Sequence, residues 1–425
     1  MATTLDDAWQ RHLETVRWFG GKGAGAHIVR RDPLPPHTPP GVVPAVHSEV
    51  ATLAYPDGHT EHYHLLVAHH PAGAAPLGTV VGADEVDGTP VQVVDATTDP
   101  AALAAFVAAT QPAFADHPVA VWPGEQSNTT LTLGDTDLYK LFRRVEPGPN
   151  LEAEVLVALG GGSVPELRGR LVGAWPEGAT TDLGIVVERM ADVTDGWELA
   201  TASCAAGQDF TDRARALGEA LRDVHERLAD AFGTQVRAGD EVAEAMGVRL
   251  DAAVADAPDL APYADGLRRA FDVLRGRDLV VQRVHGDFHL GQTLAGPSTS
   301  SGNPTGPGNP TGWTIIDFEG EPAKTAAERR EFDSPWRDVA GMLRSFDYVR
   351  SAHPDPDSNT ATMWADRARE AFLIGYCGTT TADIVLPGYL IDKAVYEVLY
   401  ELRNRPGWVG IPMRAIRSLT HTEKE

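Results

Sequence analysis

The chain has 425 residues, a length that predicts two or three packed units. Its formal net charge of −24 at pH 7 disfavours nucleic acid and anionic membranes as partners. The two cysteines are too few for a disulfide framework, so we expect reduced thiols in a cytoplasmic protein. Residues 1–20 lack a signal-peptide pattern, and no apolar run is long enough to span a membrane.

Residues 1–115 carry no catalytic pattern, and we interpret them as an N-terminal cap subdomain. Apolar residues at helical spacing predict a helix over 5–18. Two alternating runs around a Pro-Asp-Gly turn predict a hairpin over 49–67, and a further helix is expected at 99–110. The proline-rich stretch 32–44 is expected to be a surface connection.

The predicted strands and helix of residues 116–190 follow the order of a small nucleotide-binding lobe. Two strands, 129–133 and 138–142, are expected to pair around a Gly-Asp turn. A helix over 151–159 and a short apolar strand at 185–188 follow. This order of strand, turn, strand, helix and strand favours a lobe that binds a nucleotide.

Helical patterns dominate residues 191–425, which we interpret as a helical C-lobe. The long patterns lie at 211–232, 240–255, 262–276, 364–376 and 387–404. Short apolar runs occur at 279–284 and 313–317. Between these two runs, residues 296–312 are almost wholly Gly, Pro, Ser, Thr and Asn, a composition typical of a flexible loop.

The strongest chemical signal is a His-Gly-Asp motif that contains Asp287 and is followed by Gln292. This spacing matches the catalytic loop of kinases, in which Asp accepts the hydroxyl proton and an amide binds magnesium. An Asp-Phe pair at Asp317 follows an apolar run, where such enzymes place their main magnesium carboxylate. The sequence therefore predicts Asp287 as the catalytic base and Gln292 and Asp317 as Mg²⁺ ligands. The alternative for the first motif alone is a turn in which Asp caps the next element.

Together with these two motifs, several others lie in one order along the chain. They lie at 125–129, 140–144, 196–202, 284–294, 317–322, 333–341, 392–397 and 405–408, with a looser match at 17–22. From about Trp122 onward, the chain resembles the aminoglycoside-phosphotransferase-like kinases and, within them, the bacterial maltokinases. The resemblance implies an α/β (α+β), bilobal protein-kinase-like fold and an ATP- and magnesium-dependent sugar kinase, which we expect to be a monomer or weak homodimer.

Lys140 lies in the middle of a predicted strand and shares a face with apolar residues, so its charge needs a partner. Glu152 and Glu154 open the following helix and either could serve, while the resemblance favours Glu152. The alternative is an edge lysine whose charge reaches solvent. The resemblance implies further ATP contacts, from a phosphate-covering loop and an interlobe hinge: Gln126, Ser127, Asn128, Glu188 and Met190. A surface turn is the alternative for the phosphate-covering loop.

Carboxylates and aromatic residues suited to a sugar collect near the catalytic loop and in the C-terminal helices. Besides Asp287, the expected acceptor residues are His289, Glu321, Trp336, Asp392, Tyr396, Glu397, Glu401 and Trp408. The alternative for the helix residues is an acidic face exposed to solvent. For His289, we favour packing or hydrogen bonding within the loop over titration.

Trp336 and the 296–312 insertion depart from the maltokinase pattern. A bulkier and more acidic pocket favours a cationic monosaccharide, and the resemblance then extends to the actinobacterial glucosamine kinases. We therefore expect glucosamine to be converted to its 6-phosphate. The alternatives are a maltokinase that makes maltose 1-phosphate, an antibiotic phosphotransferase, and a non-catalytic kinase-like binding module.

Overall fold

The computed structural model describes residues 4–124, 127–175, 178–297, 311–321, 324–380 and 383–421. Contacts divide the chain into two compact units. The first comprises Met1–Val157 and Glu166–Ala191, and the second comprises Ala158–Pro165 and Asp192–Glu425. The finer division into three parts at 115 and 190 stays a prediction.

The first half of the first unit is an antiparallel five-stranded sheet in the order β1-β2-β3-β5-β4. Its elements are α1 (Leu5–Leu13), β1 (His27–Pro36), β2 (Ala45–Ala54), β3 (Thr60–Pro71), β4 (Val80–Val86), β5 (Thr89–Asp95) and α2 (Pro100–Thr110). Thr4 caps α1 with a reciprocal capping box, and Trp9 and Leu13 bury the apolar face of that helix against the sheet.

The interpretation of residues 32–44 as a surface connection is wrong at its start, because β1 runs through Pro36. Proline cannot donate to a ladder and is therefore confined to edge strands and irregular positions. Here β1 is an edge strand, and its register shifts between Pro33 and Pro36. The helix predicted over 5–18 is shorter and ends at Leu13.

The second half of the first unit is another antiparallel five-stranded sheet, in the order β6-β7-β8-β10-β9. Its elements are β6 (Val119–Val121), β7 (Thr129–Leu133), β8 (Asp137–Leu141), α3 (Leu151–Leu159), β9 (Leu167–Ala174) and β10 (Thr180–Glu188). The predicted pairing of two strands around a Gly-Asp turn is confirmed, with Thr130 opposite Lys140 in the ladder. Tyr139 and Leu141 are buried, while Lys140 on the other face is half-buried.

The second unit is mainly helical. Its elements are β11 (Thr194–Asp195), α4 (Gly196–Ala205), α5 (Thr211–Phe232), β12 (Thr234–Ala238), α6 (Gly239–Asp256), α7 (Ala264–Phe271), β13 (Asp278–Gln282), β14 (Thr293–Ala295), β15 (Trp313–Ile315), α8 (Ala326–Arg330), α9 (Trp336–Ala352), α10 (Asn359–Cys377), α11 (Leu386–Asn404) and α12 (Gly410–His421). Two small sheets, β11-β14-β15 and β12-β13, accompany the helices. Within the described residues, no helix is long and apolar enough to cross a bilayer.

The pattern analysis missed α9, and its burial explains why. Residues 338–346 are all buried, so this helix has no polar face in that stretch to give an amphipathic period. The buried residues include the charged Asp338 and Arg344, which interrupt the apolar signal. Both of these residues hold parts of the candidate site.

Candidate active site

The loop that carries Asp287 is fixed by a buried carboxylate on α9. Asp338 accepts hydrogen bonds from the backbone N–H groups of His285 and Gly286 at 2.8 and 2.9 Å, and from Nε2 of His225 at 2.9 Å. Burial alone would raise the pKa of Asp338, but these donors outweigh it and hold the pKa below its usual range. As a carboxylate, Asp338 therefore anchors the start of the loop that carries Asp287.

Two glycines allow the loop to adopt this path. Gly286 has a φ of +86°, a conformation that side chains other than glycine rarely adopt. Gly341 of α9 lies under the loop, where an added Cβ would come within 2.5 Å of the Phe288 carbonyl oxygen. The backbone conformation thus favours glycine at the centre of His-Gly-Asp, and the close approach of the Phe288 carbonyl favours glycine at position 341 of α9.

Asp287 lies beside a lysine of α11. Nζ of Lys393 donates to Oδ1 of Asp287 at 3.3 Å. Burial would lower the pKa of Lys393, but the carboxylates of Asp287, Glu397 and Glu321 outweigh that effect and raise the pKa. Lys393 therefore stays an ammonium ion, and its hydrogen bond ends on Oδ1 of Asp287.

Gln292 and Asp317 meet within the second unit. The Gln292 amide donates to Oδ2 of Asp317 at 3.1 Å, and Asp317 has a φ of +66°. This left-handed conformation is uncommon outside glycine and concentrates at functional sites. An amide oxygen and a carboxylate are hard oxygen ligands of the kind that Mg²⁺ prefers, so this donor pair fits a magnesium ion once the amide turns its oxygen toward it.

His289 is half-buried and lies within the loop. Its Nδ1 accepts a hydrogen bond from the backbone N–H of Gly291 at 3.1 Å. Burial lowers the pKa of His289 and outweighs the attraction of Asp287, so the imidazole is neutral near pH 7. The expected hydrogen bond of this histidine within the loop is confirmed, and its lack of a titrating role stays a prediction.

A cavity of about 300 Å³ opens beside Asp287 in the second unit. It combines aromatic rings, carboxylates and cationic side chains. Its lining residues are Trp197, Asp287, His289, Gly291, Gly341, Ser345, Tyr348, Lys393, Tyr396, Glu397, Tyr400, Glu401, Arg405 and Trp408. This volume lies at the small end of the range for small-molecule sites and suits a monosaccharide.

The two glutamates that line the cavity are each held by an arginine. Both bonds from Arg344 to Glu397 end on Oε2, at 2.9 and 2.7 Å. Burial raises the pKa of Glu397, and Arg344 offsets only part of that effect. Glu401 accepts from Arg405 at 2.8 Å and from the Tyr348 hydroxyl at 3.0 Å, both at Oε1. A cationic ligand in the cavity would complete the neutralisation of these carboxylates.

Of the predicted acceptor residues, the structure brings His289, Tyr396, Glu397, Glu401 and Trp408 to the cavity beside Asp287. Three others do not line it.

The Asp392 carboxylate accepts hydrogen bonds from Arg249, from Nε at 3.0 Å and from Nη2 at 2.9 Å. Trp336 packs edge-on against Tyr376, with ring centroids 5.6 Å apart. Glu321 lies 3.7 Å from Nζ of Lys324, and its charge helps to raise the pKa of Lys393.

In the first unit, Nζ of Lys140 donates to Glu152 at 2.7 Å, which confirms the expected pair. The Asn128 amide nitrogen lies 3.4 Å from the Ser127 hydroxyl. Glu188 ends β10, Met190 follows it, and both are half-buried. Gln126 lies outside the described residues. The nucleotide roles of these residues stay predictions.

Sequence reasoning did not assign several residues of the site, among them Trp197, Arg344, Tyr348, Lys393 and Arg405. Lys393 follows Asp392 within a motif that was noted, and its spacing to Tyr396 and Glu397 was the available signal. Arg344 and Tyr348 are one helical turn apart on α9, but their pairing with α11 is a tertiary contact that no local pattern reveals.

Comparison with known proteins supports the resemblance. No protein-family model matches the chain. The glucosamine kinase of Streptacidiphilus jiangxiensis is 29% identical over 331 residues, which cover 69% of this chain and 72% of that protein. A solved glucosamine kinase in crystal form B superposes with a TM-score of 0.67 at 22% identity and covers 100% of both chains. This chain has the glucosamine kinase fold. The predicted fold class is thereby confirmed.

A second solved glucosamine kinase with this fold contains glucosamine, ADP and inorganic phosphate. It superposes with a TM-score of 0.63 at 21% identity and covers 97% of this chain and 99% of that one.

Proposed function

We propose that this protein is a magnesium- and ATP-dependent sugar kinase that converts glucosamine to glucosamine 6-phosphate. The observation that carries the proposal is the cavity, in which Asp287 and Lys393 lie close together and two buried glutamates, Glu397 and Glu401, share the lining. The glucosamine kinase of S. jiangxiensis, its relative at 29% identity, supports the same activity.

The chemistry assigned to this site is phosphoryl transfer. The oxygen of the sugar hydroxyl attacks the γ-phosphorus of ATP, the bond from that phosphorus to the β–γ bridging oxygen breaks, and Asp287 accepts the hydroxyl proton. Lys393 holds Oδ1 of Asp287, so Oδ2 is the oxygen that faces the hydroxyl. Lys140, fixed by Glu152, is assigned to the ATP phosphates.

Gln292 and Asp317 are the residues that would hold magnesium. Bound magnesium would neutralise the charge that develops on the transferred phosphoryl group. Asp317 supplies the carboxylate and Gln292 an amide oxygen, and the hydrogen bond between them keeps the two side chains together before the ion binds.

The order of charges along α11 supports both glucosamine as the substrate and its 6-hydroxyl as the acceptor. Lys393 adjoins the base, whereas Glu397 and Glu401 follow one and two helical turns along α11. The ammonium group of glucosamine is repelled by Lys393 and attracted by the glutamates. The ring then points its carbon 2 away from Asp287 and its carbon 6 hydroxyl toward it, because these substituents lie on opposite sides of the ring.

An ADP-release screen with Mg·ATP tests the proposal. Its acceptors are glucosamine, glucose, N-acetylglucosamine, maltose and an aminoglycoside, and the product is identified by NMR. We expect glucosamine to be the best acceptor and its 6-phosphate the product. Efficient maltose turnover with glucosamine no better than glucose would favour maltokinase activity, and release of ADP with none of these sugars would refute the proposed kinase.

A further inference from the structure

The chain that follows β8 leaves its own sheet and joins the N-terminal sheet. The backbone N–H of His64 donates to the Arg143 carbonyl at 2.7 Å, and that of Val145 donates to the His62 carbonyl at 2.9 Å. Because β5 pairs with β3 over Val67 to Pro71, residues 143–145 occupy the earlier part of the same β3 edge. The main chain thus ties the N-terminal sheet to the strand that carries Lys140.

One buried side chain at this junction reaches the loop assigned to the phosphates. Arg143 is only 1% exposed. Its Nε donates to the Thr129 hydroxyl at 2.8 Å, and its Nη1 donates to the His64 carbonyl at 3.1 Å. Its backbone N–H donates to the side-chain oxygen of Asn128 at 3.2 Å. A single residue therefore holds Asn128, the start of β7 and β3 together.

The N-terminal motif at 17–22, to which no role has been assigned, covers this arginine. The guanidinium carbon of Arg143 lies 4.4 Å from the centroid of the Trp18 ring, and Phe19 packs edge-on against Tyr63 of β3. Burial lowers the pKa of Arg143 to about 10, although Asp95 opposes the shift, so the side chain is a cation at neutral pH. The segment and the sheet together build a site for a buried guanidinium.

We propose that Arg143 is a positioning residue for ATP. It holds Asn128 and Thr129 in register with Lys140, which lies opposite Thr130 in the ladder. Trp18 and β3 hold Arg143 in turn, so the N-terminal sheet serves the nucleotide site. This inference rests on the proposed kinase activity, because it takes Ser127 and Asn128 as part of the loop that covers the phosphates.

The test compares Arg143→Lys with Arg144→Lys in the full-length protein. Lysine keeps the charge but loses the planar fork that reaches Thr129 and His64 together. We expect Arg143→Lys to raise the KM for ATP about tenfold, the effect of losing one or two charge-assisted hydrogen bonds. The kcat at saturating ATP and the KM for glucosamine should change by less than about twofold. Arg144 has a half-exposed side chain and pairs with Glu61 at 3.1 Å, so its variant should retain all three values.

Thr129→Val is the second variant, and it tests the positioning role of Arg143 if Arg143→Lys does not fold. It preserves the shape of the side chain and removes the acceptor of the Arg143 Nε bond. We expect the KM for ATP to rise by about three- to tenfold. An unchanged KM for ATP in the variants that fold, or an equal rise in the KM for glucosamine, would overturn the role of Arg143.

The shift in melting temperature produced by Mg·ATP separates this inference from the proposed function. We expect the shift to be smaller in Arg143→Lys, or in Thr129→Val if the former does not fold, than in the wild type. An equal shift would count against Arg143 even if no sugar were phosphorylated. Failure of the wild type to phosphorylate any sugar would refute the proposed function alone.

Discussion

The loops around Asp287 and the glutamates of α11 are built on different principles. Asp287, Gln292 and Asp317 lie on short loops, and Asp338 and Gly286 fix the backbone where the loop that carries Asp287 begins. Glu397 and Glu401 lie on one long helix, and arginines already neutralise much of their charge. The first region carries a recognisable local motif although Asp338 anchors it from α9, whereas the second depends on contacts between helices and has no such motif. We therefore expect substitutions in the first to remove turnover for every sugar, and substitutions in the second to change the choice among sugars.

The largest effect is expected for Asp317→Ala. This change removes the carboxylate of the proposed magnesium site and should lower kcat by at least about 10³-fold, since metal neutralisation of the transferred group contributes several kcal/mol. Steady-state kinetics over a range of magnesium concentrations, with glucosamine and glucose, measures it. A variant with normal kcat and unchanged magnesium dependence would exclude Asp317 from the site.

Asp287→Asn should have the next largest effect. The amide cannot accept the hydroxyl proton, so we expect kcat to fall by about 10²- to 10⁴-fold with both sugars. Binding of Mg·ATP should persist, and the shift in melting temperature that Mg·ATP produces measures it. If the variant loses glucosamine turnover but keeps glucose turnover, the proposed division between the two regions fails.

The loops around Asp287 could be predicted from the sequence for a physical reason. The predicted base Asp287 and the predicted metal ligand Gln292 are five residues apart in one loop, and that loop requires glycine at a special backbone position, Gly286. The Lys140–Glu152 pair follows from strand alternation and a lysine that needs a partner. Only the choice of Glu152 over Glu154 depended on the resemblance.

The acceptor region was only partly predictable because helical spacing does not say which face meets which neighbour. Asp392 and Glu397 were indistinguishable as carboxylates on one helix. In the structure, Arg249 holds Asp392, whereas Glu397 lines the cavity. Trp336 was expected at the acceptor because it is bulky, but it packs on Tyr376 instead. These outcomes depend on residues 40 or more positions away in the chain.

A smaller effect is expected for Glu397→Gln, with Asp392→Asn as its matched control. The first change should lower the preference for glucosamine over glucose by about tenfold, which is the contribution of one charge-assisted hydrogen bond. The second removes the carboxylate held by Arg249 and should lower the melting temperature with the preference unchanged. The ratio of kcat/KM for the two sugars measures both. If Asp392→Asn changes the ratio and Glu397→Gln does not, the assignment of the acceptor carboxylates is reversed.

The most direct test of glucosamine recognition is the ratio of kcat/KM for glucosamine over glucose in the wild-type protein as the pH is raised. The account predicts a ratio of about 10 to 150 while the amine is protonated, from a charge-assisted hydrogen bond to the glutamates. Above the pKa of the amine the ammonium loses its proton, so the ratio should fall. Glucose, which has no amine, corrects for other effects of pH on the enzyme. A ratio near one at every pH, or a ratio that rises as the amine becomes neutral, would contradict the account.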